Sequence, residues 1–124
     1  MANRGLHEFT VQEANNFEAY KDWNYEELDM ATVNTAAGNN LSSYITTAHP
    51  AKKVVLYPSP AAADALDDAD NLTLTINGET DTNKKIVIDP GDLPFTLSGL
   101  TITSLLITPS AGGSGEEISV LSFH

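Results

Sequence analysis

The chain has 124 residues, close to the commonest size of one domain and long enough to bury a core without covalent cross-links. It has no cysteine, which excludes disulfides, thiolate metal sites and cysteine nucleophiles. Its 17 acidic and 6 basic side chains give a formal charge of −11, which disfavours a nucleic-acid partner because phosphate binding needs clustered Lys and Arg.

The beginning of the chain lacks the features of a targeting segment. Residues 1–8 carry one arginine with no apolar stretch after it, so we expect no secretory signal peptide. No part of the sequence approaches the roughly 18 apolar residues that a membrane span needs, so we expect no membrane partner.

A first short helix is predicted near the start of the chain. Residues 10–13 read Thr-Val-Gln-Glu, which fits a capping box in which the Thr and Glu side chains each satisfy an orphan backbone amide. Phe17 and Tyr20 follow on one face at helical spacing. Such a helix is marginal alone and needs a surface to pack against.

A second short helix is predicted to begin at Asn24–Glu27. Trp23 and Leu28 flank this cap as a hydrophobic staple. The pattern then fades into Thr, Asn, Ala and Gly from Met30 to Pro50, which predicts an extended connection. An edge strand at Ser43–Thr47 is the alternative for part of it.

The rest of the chain predicts β-strands. Leu72–Ile76 alternates strictly between apolar and polar residues, which is typical of a strand with one buried face. Ile86–Ile88 is entirely β-branched, as strands favour. The six predicted strands are Lys53–Tyr57, Leu72–Ile76, Ile86–Ile88, Phe95–Leu97, Leu100–Thr108 and Ile118–Phe123.

Turn signals separate these strands. Asn77–Gly78 is typical of a tight hairpin, but a hairpin there would pair an apolar strand with the polar residues 79–83. A longer loop over Asn77–Lys84 buries more apolar surface, so we expect that loop. Asp89–Asp92 predicts a type II turn, with Pro and Gly at its two central positions. A break is expected at Ser98–Gly99, and a flexible loop at Pro109–Gly115.

Together these elements predict a mainly β protein, an antiparallel β-sandwich or jelly-roll-like domain. The expected organisation is an N-terminal arm at residues 1–50, carrying one or two short helices and an extended linker, followed by the sandwich at residues 51–124. The arm either packs on the sandwich or extends away from it.

No motif in the sequence predicts catalysis or a bound cofactor. His7, His49 and His124 lack the close pairing typical of zinc ligands, so we expect them to lie on the surface without a role. There is no G-x-S-x-G elbow, and Gly112–Gly115 lacks the lysine of a phosphate-binding loop. Carboxylates are too abundant to mark a paired acid–base site. We therefore expect no catalytic residue, no cofactor and no metal ligand.

The densest acidic patch, Asp64–Asp70, leaves one alternative open. Calcium prefers several oxygen ligands on a loop, but the patch lacks the alternating ligands, central Gly and closing Glu of an EF-hand. A solvated loop or a short helical turn is the preferred interpretation.

Aromatic residues concentrate in the first fifty positions. They are interpreted either as core that caps one end of the sandwich or as anchors on a partner, since Trp and Tyr are favoured in interface hot spots. The candidate partner-contact residues are Phe9, Phe17, Tyr20, Trp23 and Tyr25.

The stretch Asp92–Thr108, followed by a Gly/Ser loop and Ile118–Phe123, resembles small virion proteins of tailed bacteriophages, including head decoration (cement) proteins. The resemblance covers about the last third of the chain and carries no site residue. It implies a β-sandwich or β-tulip module, often trimeric, that lies on the major capsid lattice and stabilises it. The aromatic first half departs from compact decoration proteins and leaves a tail or head–tail component open.

The expected function is therefore a non-enzymatic capsid decoration protein, made in the host cytoplasm and located on the virion surface. Its expected partners are the major capsid protein and copies of itself, with a homotrimer favoured. High negative charge and Ser/Thr-rich strand faces favour a protein that repeats many times without aggregating. The alternative is a carbohydrate- or ligand-binding β-sandwich that uses Trp23 and Tyr57 as stacking platforms.

Overall fold

The computed structural model describes residues 21–31, 33, 40–59, 71–111 and 117–124. Within these residues the chain forms seven β-strands and two single-turn 3₁₀ helices, at Thr82–Lys84 and Pro90–Asp92. The strands are β1 (Trp23–Asp29), β2 (Ala51–Pro58), β3 (Leu72–Ile76), β4 (Ile86–Ile88), β5 (Phe95–Ile102), β6 (Leu105–Pro109) and β7 (Glu117–Phe123).

The strands form two antiparallel sheets that pack face to face as a β-sandwich. The four-stranded sheet has the order β1-β7-β2-β5, and the three-stranded sheet has the order β4-β3-β6. Alternate side chains of each strand point inward, and the core between the sheets is built from them. The buried core residues include Leu28, Val54, Leu56, Leu97, Ile118 and Val120 from the first sheet and Leu72, Leu74, Ile88, Leu105 and Ile107 from the second.

The sequence-based strand assignments are confirmed for β2, β3, β4 and β7, with one to three residues added at the ends of β2 and β7. The mainly β, antiparallel sandwich is confirmed with them. The first predicted helix lies outside the described residues.

The second predicted helix is wrong, because Trp23–Asp29 is β1. This strand is paired along its whole length with β7, from Trp23 opposite Phe123 to Asp29 opposite Glu117. Only Leu28 of its side chains is fully buried. Long-range pairing with β7 therefore outweighs the local capping signal, as tertiary context often outweighs helix propensity. The two-part division of the chain at residue 50 stays a prediction, although β1 itself belongs to the sheet.

The break between β5 and β6 lies further along the chain than predicted. β5 runs through Ser98 and Gly99, where Gly99 takes a positive φ of 79° that an L side chain rarely adopts. The strand ends instead at Thr103–Ser104, where the Asn77 Oδ1 atom accepts hydrogen bonds from the backbone N–H groups of both residues, at 2.6 and 3.3 Å. A side chain from another turn thus ends the strand, which local turn propensity did not indicate.

The turn at Asn77–Gly78 exists, and the expected longer loop is also present. Both residues have positive φ, 58° and 68°, and the Glu79 N–H donates to the Ile76 carbonyl at 3.1 Å, as in a type I′ turn. The pairing of β3 with β4 nevertheless begins at Leu74 opposite Ile86 and runs to Leu72 opposite Ile88, so the connection continues through the 3₁₀ turn at Thr82–Lys84.

The type II turn predicted at Asp89–Asp92 is wrong. The segment is a 3₁₀ turn, in which the Asp89 side chain accepts from the Gly91 N–H at 2.9 Å and the Asp92 side chain accepts from the Asp89 N–H. A type II turn needs a positive φ at its third residue, here Gly91. The reciprocal capping box instead stabilises a 3₁₀ turn.

The connection at residues 40–50 contains no strand at Ser43–Thr47. It instead makes one isolated bridge, Leu41 opposite Leu106, which extends the edge of β6. Ser42 N–H donates to the Leu105 carbonyl at 2.9 Å, and Ile45 lies buried in the core. The segment therefore closes one side of the sandwich.

Truncation of a core side chain tests the sandwich. Ile107→Ala removes a fully buried side chain on the inner face of β6. We expect a loss of about 2–5 kcal/mol in the free energy of unfolding, because the cavity adds to the lost transfer free energy. Urea unfolding followed by circular dichroism measures it.

Val87→Ala is the matched control, since Val87 is 58% exposed on the outer face of β4. We expect it to cost less than about 1 kcal/mol. Equal losses for the two variants would contradict the inner and outer faces assigned to the three-stranded sheet.

Candidate interaction surface

The outward side chains of the four-stranded sheet form a mostly aromatic and aliphatic surface, here called the outer face. Antiparallel pairing aligns these side chains in rows across the sheet. One row is Tyr25, Leu121, Val55 and Thr96, and the next is Trp23, Phe123, Lys53 and Ser98. In the third row Glu27, Ser119 and Tyr57 are neighbours.

Exposure is highest at the β1 end of the outer face. Trp23 is 65% exposed and Tyr25 is 44% exposed, whereas Leu121, Val55 and Phe123 are half-buried by their neighbours. Exposed large aromatic side chains on one sheet face are typical of a surface that binds a partner.

Contacts within the outer face hold its aromatic rings in place. The Tyr25 and Tyr57 rings are 6.4 Å apart between centroids and tilted by 40°. The Tyr25 hydroxyl also forms a hydrogen bond with the Ser119 Oγ atom at 3.0 Å. The Lys53 Nζ atom lies 5.6 Å from the centroid of the Phe123 ring, within cation–π distance.

Two of the predicted contact residues, Trp23 and Tyr25, lie together on the outer face. Phe9, Phe17 and Tyr20 lie outside the described residues. Sequence reasoning missed Val55, Leu121 and Phe123 as members of this surface. Alternation along β2 and β7 predicts that these three side chains point outward. The sequence does not show that β2 and β7 lie in the same sheet as β1.

β1 is a terminal strand of the sheet, so one of its edges faces no other described strand. Asp22 and His124 exchange backbone hydrogen bonds in both directions, at 3.2 and 2.7 Å. Because hydrogen-bonded pairs alternate along an antiparallel ladder, residues 24, 26 and 28 continue the bonding to β7. The backbone groups of Trp23, Tyr25 and Glu27 therefore point to the outer edge.

Glu26 ties the connection at residues 40–50 to β1. Its carboxylate accepts hydrogen bonds from the Ser42 hydroxyl and from the Ser43 N–H, the second at 3.1 Å. The neighbouring Glu27 carboxylate accepts from the Ser59 hydroxyl at 2.8 Å. The acidic side chains of β1 therefore hold the surrounding segments in place.

A cluster of ring side chains lies where β1 begins and β7 ends. The Tyr44 ring is 5.4 Å from His49 and 5.0 Å from His124, and the Tyr44 hydroxyl donates to the Asp22 carboxylate at 2.6 Å. This hydrogen bond lowers the pKa of Asp22, with help from the Trp23 N–H and the two imidazoles, and it raises the pKa of Tyr44.

The prediction of surface histidines is wrong for His124, which is 8% exposed, while His49 is exposed as expected. The His124 Nδ1 atom lies 3.0 Å from the Pro50 carbonyl oxygen, which only accepts, so Nδ1 carries a proton. In the neutral ring Nε2 then accepts from the Ser122 hydroxyl at 2.9 Å. His124 thus links β7 to the segment that precedes β2. His7 lies outside the described residues.

The hydrogen-bonded Ser122 and His124 have the chemical groups of a nucleophile and its base. Ser122 is completely buried, so no substrate reaches its hydroxyl in this structure. The pair therefore has a packing role.

A second surface feature is a groove of about 670 Å³ on the outer face of the three-stranded sheet. Five Thr and Ser side chains supply hydroxyl groups, Leu41 and Leu106 form an apolar strip, and Glu79 and Lys85 supply one charge of each sign. The remaining lining residues are Thr73, Thr75, Gly78, Thr80, Ser104 and Thr108.

Neither a metal cluster nor a membrane-spanning helix is found in the described part of the chain. No three His, Asp or Glu side chains there are grouped closely enough to hold a metal ion. No helix there is long and apolar enough to cross a membrane. Asp64–Asp70, the possible calcium loop, lies outside the described residues.

Comparison with known proteins finds no significant match to any protein-family model, curated protein or solved structure. The proposed function therefore rests on the geometry of the described residues.

The hydrogen bond between Tyr44 and Asp22 predicts a contribution to the free energy of unfolding that depends on pH. The lowered pKa of Asp22 stabilises the fold above the ordinary value of 3.8, and this contribution is lost as pH falls through the folded-state pKa. The raised pKa of Tyr44 stabilises below the ordinary value of 10.0, and this contribution is lost as pH rises through the folded-state pKa.

We therefore expect Tyr44→Phe to be less stable than the wild type near neutral pH, with the difference shrinking at both extremes. Urea unfolding across the pH range measures it. Asp22→Asn is the matched test, since loss of the carboxylate should lower the pKa of Tyr44 toward its ordinary value in a phenolate absorbance titration. A pH-independent difference would contradict the link.

Proposed function

We propose that the chain is a non-enzymatic structural protein of a virion, a decoration protein that binds the major capsid protein through the outer face of the four-stranded sheet. The observation that carries the proposal is the exposure of Trp23 and Tyr25 side by side on a terminal strand. Exposed aromatic anchors of this kind supply most of the binding free energy in many protein interfaces.

The shape and charge of the surface support an extended protein partner. Two rows of the outer face cross all four strands, so the surface is wide enough to suit another protein surface. Glu27 and Asp29 carry their carboxylates on the outward side of β1, which favours a basic region on the capsid protein. Repeated contacts on a lattice would add avidity to a modest single contact.

A pair of alanine variants tests capsid binding. We expect Trp23→Ala to weaken binding to capsids assembled without accessory proteins by roughly 30-fold or more, because a buried interface Trp contributes about 2 kcal/mol or more. Co-sedimentation with capsids of the virus that encodes the chain measures it.

Val87→Ala is the control, because Val87 is similarly exposed but lies on the opposite sheet. It should bind as the wild type does, and urea unfolding should show that both variants stay folded. Equal binding by Trp23→Ala and the wild type would remove the outer face from the proposal.

The second candidate function is a carbohydrate- or ligand-binding module, which the groove on the three-stranded sheet favours. Its volume lies within the usual range of ligand sites, about 300–1,000 Å³. Its lining offers hydroxyl donors and acceptors, an apolar strip and no net charge, as a neutral saccharide would require. Trp23 and Tyr57 form a less favourable pair of stacking platforms, because the Tyr57 ring lies beside Tyr25 while Trp23 lies two rows away.

Titration with saccharides distinguishes the groove from the Trp23–Tyr57 pair as the candidate carbohydrate site. If the groove binds neutral oligosaccharides, Thr75→Val should weaken binding by roughly five- to tenfold through the loss of one hydrogen bond. Isothermal titration calorimetry measures this, with Thr96→Val on the other sheet as the matched control. Trp23 fluorescence should stay constant, because Trp23 lies on the opposite sheet. No heat across a broad panel would exclude this function.

A further inference from the structure

One edge of β1 faces no other strand in the described part of the chain. The strand alternation described above directs the backbone N–H and C=O groups of Trp23, Tyr25 and Glu27 away from β7. The next outward carbonyl, that of Asp29, accepts a hydrogen bond from the Asn40 side chain. The Trp23 N–H also donates to the Asp22 carboxylate. Within the described residues, the edge groups available to another strand are therefore the Trp23 carbonyl and the N–H and C=O groups of Tyr25 and Glu27.

We propose that β1 pairs antiparallel with β1 of a second copy of this chain, about a two-fold axis through Tyr25. Each copy's Tyr25 then lies opposite the other's, and Trp23 lies opposite Glu27. The two four-stranded sheets become one continuous sheet, and their outer faces join. The β1 pairing describes how copies of the proposed decoration protein assemble, and its biological role rests on that proposed function.

Charge in the strand selects this register. With Tyr25 at the axis, Trp23 of one copy lies opposite Glu27 of the other and Asn24 lies opposite Glu26, so each carboxylate meets an uncharged side chain. Like charges placed directly opposite each other destabilise a sheet. No carboxylate faces another in this register.

The two adjacent registers that preserve the hydrogen-bonding pattern are unfavourable. An axis at Glu26 places the two Glu26 side chains opposite each other. An axis at Asn24 places Asp22 opposite Glu26. Because each copy carries a formal charge of −11, a register that adds local repulsion is strongly disfavoured. Only the Tyr25 register combines the free backbone groups with compatible side chains.

Single-cysteine variants test the register directly, since the chain has no cysteine of its own. Opposite residues of a hydrogen-bonded pair have Cα atoms about 5.5 Å apart, within the roughly 4.4–6.8 Å that a disulfide spans. We expect Tyr25→Cys to form a disulfide-linked dimer on mild oxidation, read on a non-reducing gel.

Glu27→Cys is the matched control on the same edge. Its two introduced thiols would be about 14 Å apart along the strands, four residues at about 3.4 Å each, so it should stay monomeric on the gel. Combining Trp23→Cys with Glu27→Cys should restore the cross-link. Equal cross-linking by both single variants would indicate random collision and overturn the register.

A second pair of variants tests the edge without cross-linking. Tyr25→Pro removes an outward N–H but no bond to β7, whereas Tyr25→Ala keeps that N–H. We expect Tyr25→Pro to raise the dimer dissociation constant roughly tenfold above that of Tyr25→Ala, in sedimentation equilibrium. Circular dichroism should show both folded. Equal dissociation constants, a monomer at all concentrations or a closed trimer of the wild type would overturn the inference.

Capsid co-sedimentation of the wild-type chain, at concentrations where sedimentation equilibrium has given its oligomeric state, keeps the two proposals apart. Dimer formation with no capsid binding would refute the proposed decoration function and leave the β1 pairing supported. Capsid binding by a wild-type chain that is monomeric at all concentrations would support the decoration function and overturn the pairing.

Discussion

The two-sided pairing of β7 is the interaction on which the rest of the structure depends. This strand bonds to β1 on one side and to β2 on the other, so it sets the register of three of the four strands in its sheet. Its inward residues Ile118 and Val120 enter the core, and its outward residues Leu121 and Phe123 lie at the centre of the outer face. One strand therefore contributes to both the core and the outer face.

The sandwich has two outer faces of different chemistry, and this difference follows from alternation along the strands. The four-stranded sheet presents Trp, Tyr and aliphatic side chains, which suit a broad protein contact. The three-stranded sheet presents threonines around a groove, which suits a small polar ligand. The inward side chains of both sheets are apolar. The two outer faces can therefore differ in chemistry without affecting the core between the sheets.

Much of the fold was predictable from the sequence, because local patterns carry it. Leu72–Ile76 alternates and Ile86–Ile88 is β-branched, and both are strands as predicted. Asn24–Glu27, which lies within the strand Trp23–Asp29, is predicted from the sequence as a helix start, since its carboxylates and cap residues favour a helix locally. Only pairing with residues near position 120 makes it a strand, and no local pattern contains that partner.

The candidate surface was predictable only in part, for the same reason. Trp23 and Tyr25 were singled out as aromatic residues, which is a property of single positions. Val55, Leu121 and Phe123 join them through strand order, which is a property of the whole fold. The end of β5 follows the same rule, because the Asn77 side chain sets it from a distant turn.

The place of β7 between β1 and β2 has a consequence for synthesis on the ribosome. Trp23 pairs with Phe123, 100 positions later, so β1 must wait for its partner while the intervening chain is made. At about 5–20 residues per second this wait is on the order of ten seconds. An unpaired strand with exposed aromatic rings is prone to aggregate during such a wait. Glu26, Glu27 and Asp29 place three negative charges on this strand, and charged residues within an apolar strand disfavour non-specific aggregation while it waits.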